Sequence, residues 1–410
     1  MEIKSKTTVL FDWLTQNKKM CLALILLLIL LRFGYLNYYN WHYGNSGQPG
    51  VQYYVDSYRY LDGAQNLLQN QPLGHKQAEY IGYIGLLAFA KWAGGSMGAV
   101  VVFQVLMALL SAWFLYSMAR KITGSKFAGM AAIGLYLANP FITVWHLYVL
   151  TESLYTSFVI ISVWSIVKAC EKRVFKFYIL CFIVILTTAT IRPNGWILMP
   201  IMFSAFILNS SLRPYMKYAA ISLVAITFLI GVACIPASNQ IIQKVEGSVT
   251  MNDLLMRGEV VWGHPELRLS MPEDTAVKKQ NWTSSSGYII GHPFACTKLA
   301  LCRVSSELLE VNRPWYSLRY RILLFIWLWL AYILAIIGWI NYRKETNVKV
   351  ALWIVLGHIL IIALTYAEHE HRFLNYFLPL IYLLSACGVT KLIKMFILPV
   401  KLERSSKAFR

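Results

Sequence analysis

Charged side chains are scarce in this chain. Asp, Glu, Lys and Arg make up 14% of 410 residues, where a soluble globular protein carries about 25%. That scarcity argues against a cytosolic enzyme and against a disordered chain, which needs charge and polarity to stay solvated. Acidic residues are scarcer still, 19 against 38 basic ones, giving a formal net charge of +19. Seven cysteines are too few for a disulfide-stapled scaffold. No Walker loop, GxGxxG or HExxH pattern occurs, so ATP-driven transport by this chain alone has no support. What the sequence has instead is apolar length: the AVILMFWYC set makes up 58% of it. An all-α polytopic membrane protein follows.

A helix needs about 20 apolar residues to cross the hydrocarbon core. Ten stretches approach that length: roughly 20–38, 97–118, 127–146, 149–167, 176–191, 195–209, 217–236, 320–341, 349–366 and 373–395. The first reads as a span and not a cleaved leader, because it runs into Arg32 and a Tyr-rich segment with no small-residue cleavage site. Basic residues sort the connecting segments. Lys4, Lys6, Lys18 and Lys19 precede the first span; Arg120, Lys121 and Lys126, then Lys168, Lys172, Arg173 and Lys176, then Arg343, Lys344 and Lys349 fill alternate short loops. Lys and Arg mark the cytoplasmic side. The expected layout is a single transmembrane domain over 1–410 with both termini cytoplasmic and no separate soluble domain. The net positive charge is then explained by topology and not by a nucleic-acid partner.

Two long segments, 39–96 and 237–319, are left for the outer face. Residues 54–68 place Tyr54, Tyr58, Leu61, Ala64 and Leu68 at spacings of three and four, an amphipathic helix on the membrane surface. Residues 80–93 are apolar but too short to cross, which suits a re-entrant or interfacial helix.

Several ionisable residues sit at the outer ends of these spans. Asp56 opens the surface helix; it is either a base for an alcohol or a helix-start carboxylate. Glu152 opens the span after the turn near 147, where an ionisable group is costly and points to function, though an acid at a helix N-terminus is also a stabilising placement. Arg192, in the Arg-Pro-Asn-Gly turn, suits a phosphate with its planar fork or snorkels to the interface. The run Tyr366–Arg372 packs His369, Glu368, Glu370 and His371 together. Neighbouring positions do not share a helix face, so Arg372 as a second phosphate contact is the better reading than a metal. Arg32 is a third candidate cation. Cys296 and Cys302 share the second outer segment and pair there if it is oxidising. Asp56, Glu152, Arg192 and Arg372 come from four separate parts of the chain, and the charge rule puts all four at one membrane face.

At these residues the sequence resembles the GT-C superfamily of polyprenyl-phosphate-sugar glycosyltransferases, in the branch of protein O-mannosyltransferases and the bacterial aminoarabinose transferase of lipid A. The likeness is carried by DSYRYLDGA (56–64), YIGYIGLLAFAKWAGG (80–95), TESLYTSF (151–158), RPNG (192–195) and HRFLNYFLPLIYLLSACG (371–388). Two departures stand out. The family's Asp-Glu pair reads Asp56-Ser57 here, and the Pro-Gly of its short helix reads Ile81-Gly82.

The resemblance implies inverting transfer of a monosaccharide from a polyprenyl-phosphate donor to a hydroxyl of an envelope glycan or glycolipid, of the O-antigen or lipopolysaccharide type. The setting is the outer, periplasmic face of a bacterial inner membrane. Asp56 and Glu152 are the expected catalytic residues, and Arg192, Arg372 and Arg32 the expected donor-phosphate contacts. Arg59, Tyr60, His369 and His371 are candidate contacts to acceptor or sugar. No metal ligand and no required cofactor is expected, a divalent ion being left open. The rival reading is a transporter or lipid flippase, which places ionisable groups near the bilayer midplane, often in inverted repeats. No repeat is visible here.

Overall fold

The computed structural model describes residues 18–42, 50–210, 214–218, 221–222, 255–273, 282–309, 317–368 and 371–407. The described residues are helical, with two isolated backbone bridges, Gln52 to Tyr148 and Val261 to Ala367, and no strands. The helices of ten residues or more are α1 (Lys18–His42), α2 (Val55–Leu68), α3 (Ile81–Trp92), α4 (Met97–Thr123), α5 (Lys126–Leu137), α6 (Glu152–Lys172), α7 (Phe175–Ile191), α8 (Leu198–Leu208), α9 (Trp282–Gly291), α10 (Pro293–Leu309), α11 (Leu318–Tyr342), α12 (Thr346–Leu364) and α13 (Arg372–Lys407).

Among the described residues five helices are long and apolar enough to cross a membrane, α4, α6 and α12 with parts of α11 and α13. A bent pair makes a sixth candidate. The expected spans 20–38, 176–191 and 195–209 correspond to shorter apolar helices, and most of 217–236 lies outside the described residues.

The bent pair corrects one expectation. Residues 127–146 do not form one continuous span: Lys126–Leu137 and Pro140–Leu147 meet at 57°. Pro140 lacks the N–H that a continuing helix needs. Asn139 restarts the chain as a cap, its side chain accepting the Phe141 amide at 2.8 Å.

The core is a bundle in which α6 and α13 are the most enclosed spans. α11 crosses α13 at Gly338 and Gly388. A Cβ on Gly338 would lie 2.0 Å from the Leu384 carbonyl oxygen, and one on Gly388 would lie 2.0 Å from that of Leu334. Small residues let helix backbones approach where lipid removes any hydrophobic drive to associate. The helix ends are sorted. Lys121 pairs with Glu171, and Lys394 donates to the Thr123 carbonyl, at one end. Glu152 and Arg372 begin their helices at the other.

α2 forms over the expected residues, but its protein-facing side differs from the expected stripe. Ser57, Tyr60, Gly63 and Ala64 are buried, whereas Val55, Tyr58 and Leu68 are exposed. Gly63 lies against Ile84 of α3, where a Cβ would be 2.7 Å from the isoleucine side chain. The two short outer helices pack on each other, so Ala64 faces protein. α3 is short, as its length required.

Candidate active site

Helix starts and one broken turn bring the charged residues together. α6 begins at Glu152 and α13 at Arg372, while α7 stops at Ile191. Arg192 is extended (φ −153°, ψ 134°), and Pro193 opens a short 3₁₀ turn. Gly195 is required there, since a Cβ would sit 2.8 Å from the Ala189 backbone. Asp56 lies in the first turn of α2. The tether 50–54 is held to the bent-span segment by Gln52, whose amide donates to the Leu147 carbonyl at 3.0 Å.

Glu152 is the hub. Its side chain is 1% exposed, and Oε1 accepts from Arg192 Nη1 at 3.0 Å, from Arg372 Nε at 2.9 Å and from Arg372 Nη2. Thr151 contributes a hydroxyl that accepts from Arg192 Nη1 at 2.8 Å and donates toward Glu152 Oε2 at 3.4 Å. Arg372 then reaches Asp56 Oδ2, 3.4 Å from both Nη1 and Nη2. Asp56 Oδ1 accepts from Arg59 Nη2 at 2.9 Å. Three guanidiniums meet two carboxylates directly, and the buried Glu368 adds a third carboxylate whose charge acts on Arg372, so the charges balance. Asp56 is the more open carboxylate, with 26% of its side chain exposed.

Each buried arginine lies between two aromatic rings. Arg372 Cζ is 5.3 Å from the Tyr54 ring centroid and 5.4 Å from that of Trp145. Arg192 Cζ is 4.8 Å from Tyr376 and 5.6 Å from Phe373. The ring faces are electron-rich and favour a desolvated cation. They also confine each guanidinium to one plane. Tyr54, Trp145, Phe373, Tyr376 and Thr151 were not singled out from the sequence as site side chains. The Thr-Glu dipeptide was the one available signal.

The candidates fall into three groups. Asp56, Glu152, Arg192, Arg372 and Arg59 are brought together. Tyr60 and His371 are near but enclosed, at 1% and 2% exposure, so neither has an open face for an acceptor. Tyr60 packs between Tyr80 and Tyr83. Burial, with Tyr80 and Glu152 nearby, raises its hydroxyl well above the ordinary value, so the phenol stays neutral. His371 donates from Nδ1 to the Glu307 carbonyl at 3.0 Å, and burial pushes its imidazole down to about 3. Arg32 stays exposed and lies over Tyr35 of its own helix; it takes no part in the cluster. His369 lies outside the described residues.

His358 bonds Tyr155 Oη and the Ile354 carbonyl and is satisfied within the core. Cys296 and Cys302 are free. Both lie on α10, and six residues of helix rise about 9 Å, beyond disulfide reach. No group of three or more His, Cys, Asp or Glu side chains among the described residues is placed to hold a metal ion.

Ionisable residues this enclosed at the ends of apolar helices are expensive and mark functional sites. Beside the apolar helices and the mixed acid–arginine cluster stands a match over residues 82–235, under half of the chain, that likens it to membrane glycosyltransferases of the GT-C type. The match is to the family model of the dolichyl-phosphate-mannose-protein mannosyltransferases, a family of that superfamily, and it bears out the resemblance read from the sequence. It ends before α10–α13, so Arg372 comes from outside the matched segment. No curated protein and no solved structure matches the chain.

Proposed function

We propose that this protein is an inverting glycosyltransferase that moves a monosaccharide from a polyprenyl-phosphate donor to a hydroxyl of an envelope glycan or glycolipid. The acceptor would be of the O-antigen or lipopolysaccharide type. The reading places the reaction at the outer face of a bacterial inner membrane, in a ten-span chain with both termini cytoplasmic. One observation carries it: an aromatic-walled cluster of arginines in which the open carboxylate is Asp56. Guanidiniums suit a phosphate, and an open carboxylate beside them fits a base for an incoming alcohol.

In this mechanism the acceptor hydroxyl gives its proton to Asp56 as its oxygen bonds to the anomeric carbon. The bond from that carbon to the phosphate oxygen breaks on the opposite face, and the phosphate leaves with its electron pair. Arg372 touches both carboxylates but is 2% exposed, so it stabilises the leaving charge through its field and not by contact. Arg59, half-exposed on Asp56, is the cation open to contact. Glu152 is too enclosed to meet an acceptor. It orients Arg192 and Arg372, which makes it a positioning residue. Arg59 meets the phosphate while the buried Arg192 and Arg372 act on it through their field, and no divalent cofactor is invoked.

The test is transfer by purified protein from labelled polyprenyl-phosphate sugars to envelope glycolipid, for wild type and Asp56→Asn. Transfer lost in a folded Asp56→Asn variant is the expected result. Equal transfer by both would remove Asp56 from the mechanism. Flux of labelled lipid across vesicles without sugar transfer would favour the flippase reading.

A further inference from the structure

The second outer segment meets the catalytic end of the bundle through one face of α10. Arg303 and Glu307 lie four residues apart on that face, both at 0% exposure, and they engage the end of α12 and the start of α13. Arg303 Nη1 donates to the carbonyls of Ala363 and Leu364 at 3.3 Å each, the last carbonyls of α12. Its Nε holds the Glu259 carbonyl at 2.9 Å. Glu307 Oε2 accepts the Glu368 amide and Oε1 accepts the Leu374 amide, both at 2.8 Å. The latter is in the first turn of α13. A cation thus closes a helix C-terminus and an anion opens the next helix, each where the unpaired backbone groups and the helix dipole favour it. The parallel bridge of Val261 with Ala367 adds two backbone bonds at 2.9 Å just after α12.

Arg372 lies between the two amides that Glu307 holds. His371, just before it, adopts φ +54°, a left-handed conformation uncommon for a residue with a side chain. Arg372 must meet Glu152 at 2.9 Å and Asp56 at 3.4 Å at once, and a displacement of about 1 Å is enough to lose such geometry. We propose that Arg303 and Glu307 are positioning residues for sugar transfer, forming a clamp on the C-terminus of α12 and the first turn of α13 that fixes Arg372 against Asp56 and Glu152. This rests on the transferase reading. It assigns the 237–319 segment a part in the reaction from beyond the matched 82–235 region.

The experiment is a double-mutant cycle on the full-length protein in nanodiscs, with Glu307→Gln and Arg372→Lys alone and combined. Gln matches Glu in size but offers one carbonyl oxygen, so it cannot accept both amides. The expected result is a fall in kcat of about tenfold for Glu307→Gln with the acceptor KM unchanged. In the Arg372→Lys background the same change should cost less than about twofold, because a residue acting through Arg372 has little left to act on. Wild-type kcat in Glu307→Gln, or the full tenfold loss in both backgrounds, would overturn the proposal. Arg303→Lys, which keeps the charge but not the fork, carries the same cycle with a smaller loss if Glu307→Gln does not fold. The thermal midpoints of the four proteins provide a reading that needs no donor. If wild type transfers no sugar, the transferase reading falls, and additive midpoint shifts would then sink the clamp as well.

Discussion

Glu152→Gln keeps the size of the side chain and removes its charge. Glu152 Oε1 accepts three hydrogen bonds from two arginines. The guanidinium donors stay charged, so the bonds persist in weaker form, and the larger loss is the counter-charge of two buried cations. Breaking a buried ion pair costs roughly 3–5 kcal/mol. The enclosure of Glu152, 1% exposed, leaves no water to replace the lost charge. Asp56→Asn is the contrasting change. Its carboxylate is 26% exposed, and a partly exposed pair contributes about 0–1 kcal/mol. Thermal unfolding in nanodiscs should therefore show a midpoint several degrees lower for Glu152→Gln and near wild type for Asp56→Asn. Activity should fall in both, by about 10²–10⁴ for Asp56→Asn, the usual contribution of a general base. A wild-type midpoint in Glu152→Gln would refute the reasoning that Glu152 is the energetic hub. A large midpoint loss in Asp56→Asn would show that Asp56 supports the fold instead of the chemistry.

Arg372→Lys should lower kcat by about 10²-fold, since an ammonium cannot bridge Glu152 and Asp56 as the fork does; wild-type turnover would show that the fork is not needed. Gly388→Val forces a side chain toward the Leu334 carbonyl, so it should cut the yield of monodisperse protein on size exclusion, and a normal yield would mean that the α11–α13 crossing can open. Transfer should survive EDTA, the arginines being sufficient for the phosphate; loss on chelation with recovery on adding Mg²⁺ or Mn²⁺ would count against that. Cys296 and Cys302 should both take a maleimide without prior reduction, and labelling only after reductant would reveal a disulfide.

The charged end of the bundle was legible in the sequence to the extent that charge is conspicuous among apolar helices. Asp56, Glu152, Arg192 and Arg372 stood out singly, and the alternation of basic loops placed them on one side. Their direct contact was not legible, because it depends on where α6, α7 and α13 end and how they pack. The aromatic walls were harder. Tyr54, Trp145 and Tyr376 sit among 14 Trp, 25 Tyr and 20 Phe, and no periodicity separates a ring under a guanidinium from a ring in the core. Arg32 misled because nearness to the outer end of a span says nothing of which way a helix faces. Pro140 signalled the break in 127–146, yet the apolar run masked it. Arg303 and Glu307 read as ordinary polar residues of an outer segment, since the backbone groups they hold lie about 60 residues away.

On the proposed reading, the arginines of the cluster bear on what happens after the reaction. A polyprenyl-phosphate sugar is a phosphodiester with a single negative charge. The polyprenyl phosphate left behind is a monoester, whose second pKa near 6 gives it about −1.5 to −2 at pH 7. Guanidiniums attract the doubly charged spent carrier more strongly than the singly charged loaded one. On that reading, added polyprenyl phosphate should compete with the loaded donor and slow transfer.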